Sequence, residues 1–172
     1  YDPPELQGLS HYLEHMLFMG TEKYPSENGY SEFMSKNGGF DNAFTEMEHT
    51  VYHFEIAQEN LIKSLDMFSQ FFIKPLLLNN SLERELAAVE SEFQLNKNSD
   101  STRLQQIHCE TAKPSSEHPY ATFSWGNTKS LKTEPEAKGV DVPVKLREFY
   151  DEYYYARNMS LVIIGGYTID KL

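Results

Sequence analysis

The stretch GLSHYLEHMLFMG, residues 8–20, constrains this chain more than any other. Leu13, Met16, Leu17, Phe18 and Met19 mark it as largely buried, yet His11, Glu14 and His15 interrupt it. Residues four apart on an α-helix are neighbours, with Cβ atoms about 5–6 Å apart, so His11 and His15 can aim their imidazoles at one point. Burying two histidines and a carboxylate is costly unless they share a partner. A zinc ion, which takes nitrogen ligands at about 2.0–2.1 Å in a tetrahedral shell, is such a partner. H-x-x-E-H is the reversed order of the H-E-x-x-H zinc helix. Glu14 lies beside the ligand pair, where a carboxylate can take a proton from water. The competing reading is two satisfied histidines next to a surface glutamate.

A catalytic zinc keeps three protein ligands and one open position. The third ligand should sit on a nearby rigid element, and the helical segment ERELAAVESEF offers Glu83, Glu85, Glu90 and Glu92. Glu85 and Glu92 are seven apart, about 700° of rotation, and so share a face. Leu86, Val89 and Phe93 line an adjacent face suited to a core. One of Glu85 and Glu92 could ligate while the other orients a histidine. The residues alone do not choose between them, and an ordinary solvated acidic face is the alternative.

The rest of the chain alternates helical and strand signals. Ser10 is placed as an N-cap for a helix over 11–19, which Gly20 would end. An amphipathic helix is expected at about 28–36, and strands at 42–47 and 50–57. In TVYHFEIA, Tyr52, Phe54 and Ile56 alternate with Val51, His53 and Glu55, the period of a half-buried strand. Leu61, Leu65, Phe68 and Phe72 form one stripe of a helix over about 59–72, before Pro75. A longer helix opens near 80 and another spans about 101–112. Residues 113–140 read as loop with a possible short helix, and VPVKLREFYDEYY as an amphipathic helix. MSLVIIGG reads as a short strand buried on both faces, and YTIDKL as the opening of a further helix. This interspersion implies an α+β fold, a two-layer mixed sheet with helices packed on it.

Composition narrows the function. The 172 residues are 40% hydrophobic, enough for one domain with a core, and the net charge is -11. So acidic a chain is a poor match to nucleic acid, which needs clustered Lys and Arg. It suits basic peptides better. One cysteine, Cys109, allows no internal disulfide and fits a reducing compartment. No apolar run reaches membrane-spanning length. The chain begins at Tyr1 without a targeting segment, and it reads as a single unit, 1–172, incomplete at both ends.

GLSHYLEHMLFMGTEKYP, NGGFDNAFTEMEHTVYHFE and ERELAAVESEF together resemble the pitrilysin/insulysin family of inverted-motif zinc metallopeptidases. The resemblance covers essentially the whole chain. Around SWGN and SDSTRLQQIHC it is closer to the nardilysin-like branch than to the insulin-degrading-enzyme-like one, although no long acidic insertion is present. In this family 76 residues separate the second histidine from the glutamate that is the third ligand; residues 16–91 number 76, which selects Glu92. Glu85 matches a further acidic position of the catalytic machinery, in a supporting role. Asn42, Ala43 and Phe44 match an edge strand on which a peptide lies as an added strand. The resemblance implies one Zn2+ per catalytic unit and peptide substrates, with a preference for basic residues. It also implies that the C-terminal half of the full-length enzyme completes the active site, so that this piece alone is inactive. A cytoplasmic location is expected, an organellar one being the alternative.

Other candidates carry less. His49 and His53 lie four apart on a strand, roughly 13 Å, too far for one metal. His108 and Cys109 point different ways along a helix. His118 reads as a turn residue, Trp125 as a packing anchor, and Tyr153, Tyr154 and Tyr155 as a cap of a helix end against the sheet. Two rival functions stand beside peptide hydrolysis: a scaffold or regulatory relative without catalysis, and an organellar presequence peptidase. The first usually lacks a motif residue, and none is lacking here.

Overall fold

The computed structural model describes residues 1–112 and 118–171. Its elements run α1 (Leu9–Leu17), α2 (Gly29–Lys36), β1 (Phe40–Thr45), β2 (Thr50–Glu55), α3 (Leu61–Ser69), α4 (Asn79–Asn96), α5 (Asp100–Thr111), α6 (Glu134–Ala137) and α7 (Val142–Tyr153). The fold is α+β. The expected mixed sheet is, among the described residues, a two-stranded antiparallel hairpin in which Asn42 faces His53 and Thr45 faces Thr50.

α1 is the central element. Leu9, Leu13, Met16 and Leu17 have no exposed surface. Burying side chains of this size contributes about 1.5–3 kcal/mol each. α1 packs on α4, where the Tyr12 hydroxyl donates to the Leu82 carbonyl at 2.7 Å, and on β1 and α7. A second cluster is aromatic: Phe18, Tyr30, Phe68 and Phe71 pack with ring centroids 5.0–6.5 Å apart and join α1, α2 and α3.

Ser10 does not cap α1. The N-cap is Gly8, with φ +92°, and the capping oxygens come from Asp2, whose carboxylate accepts from the backbone N–H of Gly8 (2.8 Å) and Ser10 (2.9 Å). The Ser10 hydroxyl bonds to the same carboxylate. A short acid reaching from six and eight residues upstream satisfies helix donors as a local Ser would. Gly20 lies beyond the helix end, at φ +88°. The expected helix over 59–72 has α-helical geometry only at Leu61–Ser69, with tighter 3-10 turns on either side.

MSLVIIGG is not a strand. Residues 159–165 have no regular structure, and Leu161, Val162 and Ile164 are 72%, 81% and 91% exposed. A strand needs a neighbour for its backbone groups, and among the described residues β1 and β2 pair only with each other. YTIDKL forms a single 3-10 turn at Ile169–Lys171. The start of the expected 113–140 loop, residues 113–117, lies outside the described residues.

Candidate metal centre and active site

α1 presents His11 and His15 on the face turned from the core, with ring centroids 5.0 Å apart. Each ring is held by its Nδ1. His11 Nδ1 donates to the Trp125 carbonyl at 2.6 Å. His15 Nδ1 donates to Glu85 Oε2 at 3.3 Å. A carbonyl and a carboxylate can only accept, so both imidazoles carry their proton on Nδ1 and turn a lone pair outward on Nε2. The two Nε2 atoms lie 3.6 and 3.7 Å from one oxygen, Oε2 of Glu92.

α4 supplies both acids because residues seven apart return to the same face. Of the four glutamates that the segment offers, Glu83 pairs with Lys132 and Glu90 accepts from the Thr128 N–H, both away from the histidines. Glu85 and Glu92 take different places: Glu85 sits behind His15, and Glu92 faces both rings.

Glu14 is only 7% exposed and accepts from the Thr45 hydroxyl at 2.5 Å. Burial lifts its carboxyl above the ordinary glutamate range, against the opposing pull of Thr45 and the two histidines. For His15, burial favours the neutral ring, but the hydrogen bond to Glu85 and the charges of Glu92 and Glu14 outweigh it, and its pKa is raised. Ligand atoms of His11, Glu14 and His15 all lie within 4.8 Å of one another.

These residues open onto a groove of about 750 Å³. Asn42, Ala43 and Phe44 form part of its wall on β1, whose second edge has no strand partner among the described residues. His49 and His53 lie apart from this group, against Phe44 and Phe40. The His118 ring accepts from the Tyr120 N–H in a turn. Cys109 is buried on the groove's α5 side.

Two contributors had no signature in the sequence. The Trp125 carbonyl is backbone and could belong to any residue type. Its placement depends on Gly8 and Gly126, both at positive φ, whose backbones meet so closely that a Cβ on Gly8 would lie 2.2 Å from the Gly126 Cα. Thr45 is one threonine in a strand, with nothing local to link it to Glu14.

Residues 1–118 match the family Insulinase (Peptidase family M16). The chain belongs to that family. It is 50% identical over 171 residues to "Nardilysin-like" of Arabidopsis thaliana, covering 99% of this chain and 16% of that protein. It is 46% identical to "Insulin-degrading enzyme-like 1, peroxisomal" of the same plant, covering 99% and 17%. The crystal structure of pitrilysin superposes with a TM-score of 0.91 at 35% identity, covering 99% of this chain and 18% of that one. The chain thus spans less than a fifth of each of these relatives, and the M16 likeness extends over all three branches that the sequence resembled. No helix among the described residues is long and apolar enough to cross a membrane.

Proposed function

We propose that this chain carries the zinc-binding, proton-transferring face of a metalloendopeptidase. The observation that supports it is the convergence of His11 Nε2, His15 Nε2 and Glu92 Oε2, with both Nδ1 protons already committed elsewhere. Two ligands each about 2.0–2.2 Å from a tetrahedral zinc lie about 3.3–3.5 Å apart. The 3.6 and 3.7 Å separations suit that donor set. Two imidazoles and a carboxylate are also a donor set known for catalytic zinc.

His11, His15 and Glu92 would hold the ion. Zinc supplies a Lewis acid that polarises a peptide carbonyl and makes nearby water more acidic. Glu14 takes the proton of the attacking water and delivers it to the leaving amine, and its raised proton affinity suits a group that does both. Glu85 and the Trp125 carbonyl position the rings and fix their tautomers. The open edge of β1 at Asn42, Ala43 and Phe44 receives an extended peptide through backbone hydrogen bonds. Substrates are peptides, with basic residues favoured by the net charge of -11. The C-terminal half of a full-length parent completes the site, and the cytoplasm is the working compartment, with the peroxisomal relative keeping an organelle in view.

The test is zinc quantitation and mass-spectrometric mapping of peptide cleavage on the full-length parent. Glu14→Gln keeps zinc and loses turnover by about 10²–10⁴-fold; near-wild-type turnover would refute the base assignment. The 172-residue chain alone binds zinc and does not turn over a quenched peptide, and robust cleavage by it would refute the dependence on a partner half.

A further inference from the structure

The site is tied to the interior through hydroxyl groups that the proposed reaction does not itself use. Glu14 has one hydrogen-bond partner among the described residues, the Thr45 hydroxyl on Oε2. Thr45 Oγ1 lies 3.1 Å from Thr50 Oγ1, its partner across the β1–β2 ladder. Separately, the Tyr154 hydroxyl, just past the end of α7, lies 2.8 Å from the Tyr52 hydroxyl.

A hydroxyl carries one proton, and an ionised carboxylate only accepts. Thr45 gives its proton to Glu14 and must therefore accept from Thr50. Two hydroxyls thus point their protons one way, along the ladder end to Oε2 of Glu14. Hydrogen bonds in such a line polarise one another, so each strengthens the next.

We propose that Thr45 is a positioning residue for Glu14, and that Thr50 stands behind it, donating to Thr45. The line occupies Oε2 and leaves Oε1 as the oxygen turned to the reacting water. A Thr–Thr pair at a ladder end could serve strand pairing alone. The link onward to the buried Glu14 distinguishes this pair from one. The inference rests on the role of Glu14 proposed above, and the experiment separates the two.

Steady-state kinetics and zinc content are measured on the zinc-loaded full-length parent carrying Thr45→Val, Thr45→Ser, Thr50→Val or Glu14→Gln. Thr45→Val removes the hydroxyl at constant shape and lowers kcat about ten- to a hundredfold, as small misplacements of a reacting group do. KM stays within about twofold and zinc content does not change, because only the proton-transfer step is touched. Thr45→Ser restores most of kcat. Thr50→Val, one hydroxyl further back, lowers kcat about two- to fivefold. Wild-type kcat in Thr45→Val beside an inactive Glu14→Gln overturns the positioning role. So does an equal loss in Thr45→Ser, a change confined to KM, or loss of zinc. If Thr45→Val does not fold, Thr50→Val decides: lowered kcat at constant KM and zinc supports the line, and unchanged kcat overturns it. An active Glu14→Gln overturns the functional reading itself.

Discussion

Two apolar stretches of this chain have opposite fates. Residues 9–17 form a helix with Leu9, Leu13, Met16 and Leu17 wholly buried, and its polar side chains are all engaged. Residues 159–165 are as greasy, yet Leu161, Val162 and Ile164 face solvent with no regular structure. The difference lies in where backbone hydrogen bonds are made. A helix closes them within itself and has only to find a surface to pack on. A strand closes none of them alone, and its burial is decided by another strand. Apolar sequence therefore announces a wish for burial in both places, and only in the helix does it also provide the geometry.

The largest effect that could break this contrast is chemical. His11→Ala in the full-length parent should reduce zinc from about one ion per catalytic unit to background by elemental analysis. Full occupancy would mean that the engaged side chains of α1 do not serve a metal. Next is stability. Leu13→Ala should cost about 2–5 kcal/mol in urea unfolding of the 172-residue chain, whereas Ile164→Ser there should lie within about 0.5 kcal/mol of wild type. A cost of several kcal/mol for Ile164→Ser would show that 159–165 is covered from within the chain.

Gly126→Ala should cost about 1–3 kcal/mol, since φ is +80° and the new Cβ would sit 2.7 Å from Leu131 Cδ1. It should also lower zinc affinity by displacing the Trp125 carbonyl from His11, about 10–100-fold by competition with a chelator. The smallest effect concerns how α4 is pinned. The Ser81 hydroxyl, with Arg84, holds the Glu27 carboxyl below its ordinary range. A depressed value means that the contribution is present above the ordinary glutamate range and is lost as pH falls through the lowered folded value. Glu27→Gln should therefore lower stability slightly at neutral pH, flatten the acid limb of a stability–pH curve, and leave stability below the lowered value little changed.

Legibility followed the same division. The H-x-x-E-H helix was readable because its spacing is local, and Glu85 and Glu92 shared a readable face because seven residues return a helix on itself. Which of the two faced the rings was not readable from spacing, because it depends on how α4 lies across α1. Thr45, Asp2 and the Trp125 carbonyl were invisible for a related reason: each acts on α1 from another part of the chain. The tyrosines after α7 were read as a cap, and Tyr154 does join that helix end to Tyr52 on β2. The expected strand at MSLVIIGG failed because a continuous apolar run reports a preference for burial and cannot report the absence of a neighbour.

The Trp125 contact has a consequence for biosynthesis. The carbonyl that orients His11 lies 114 residues downstream of it, and the carboxylate that orients His15 lies 70 downstream. At ribosomal speeds of about 5–20 residues per second, the two imidazoles wait roughly 6–20 s between their own synthesis and that of the last group that aims them. The motif is thus among the first parts of the centre to leave the ribosome and the last to be finished, so its two rings are aimed only once the chain downstream has folded onto them.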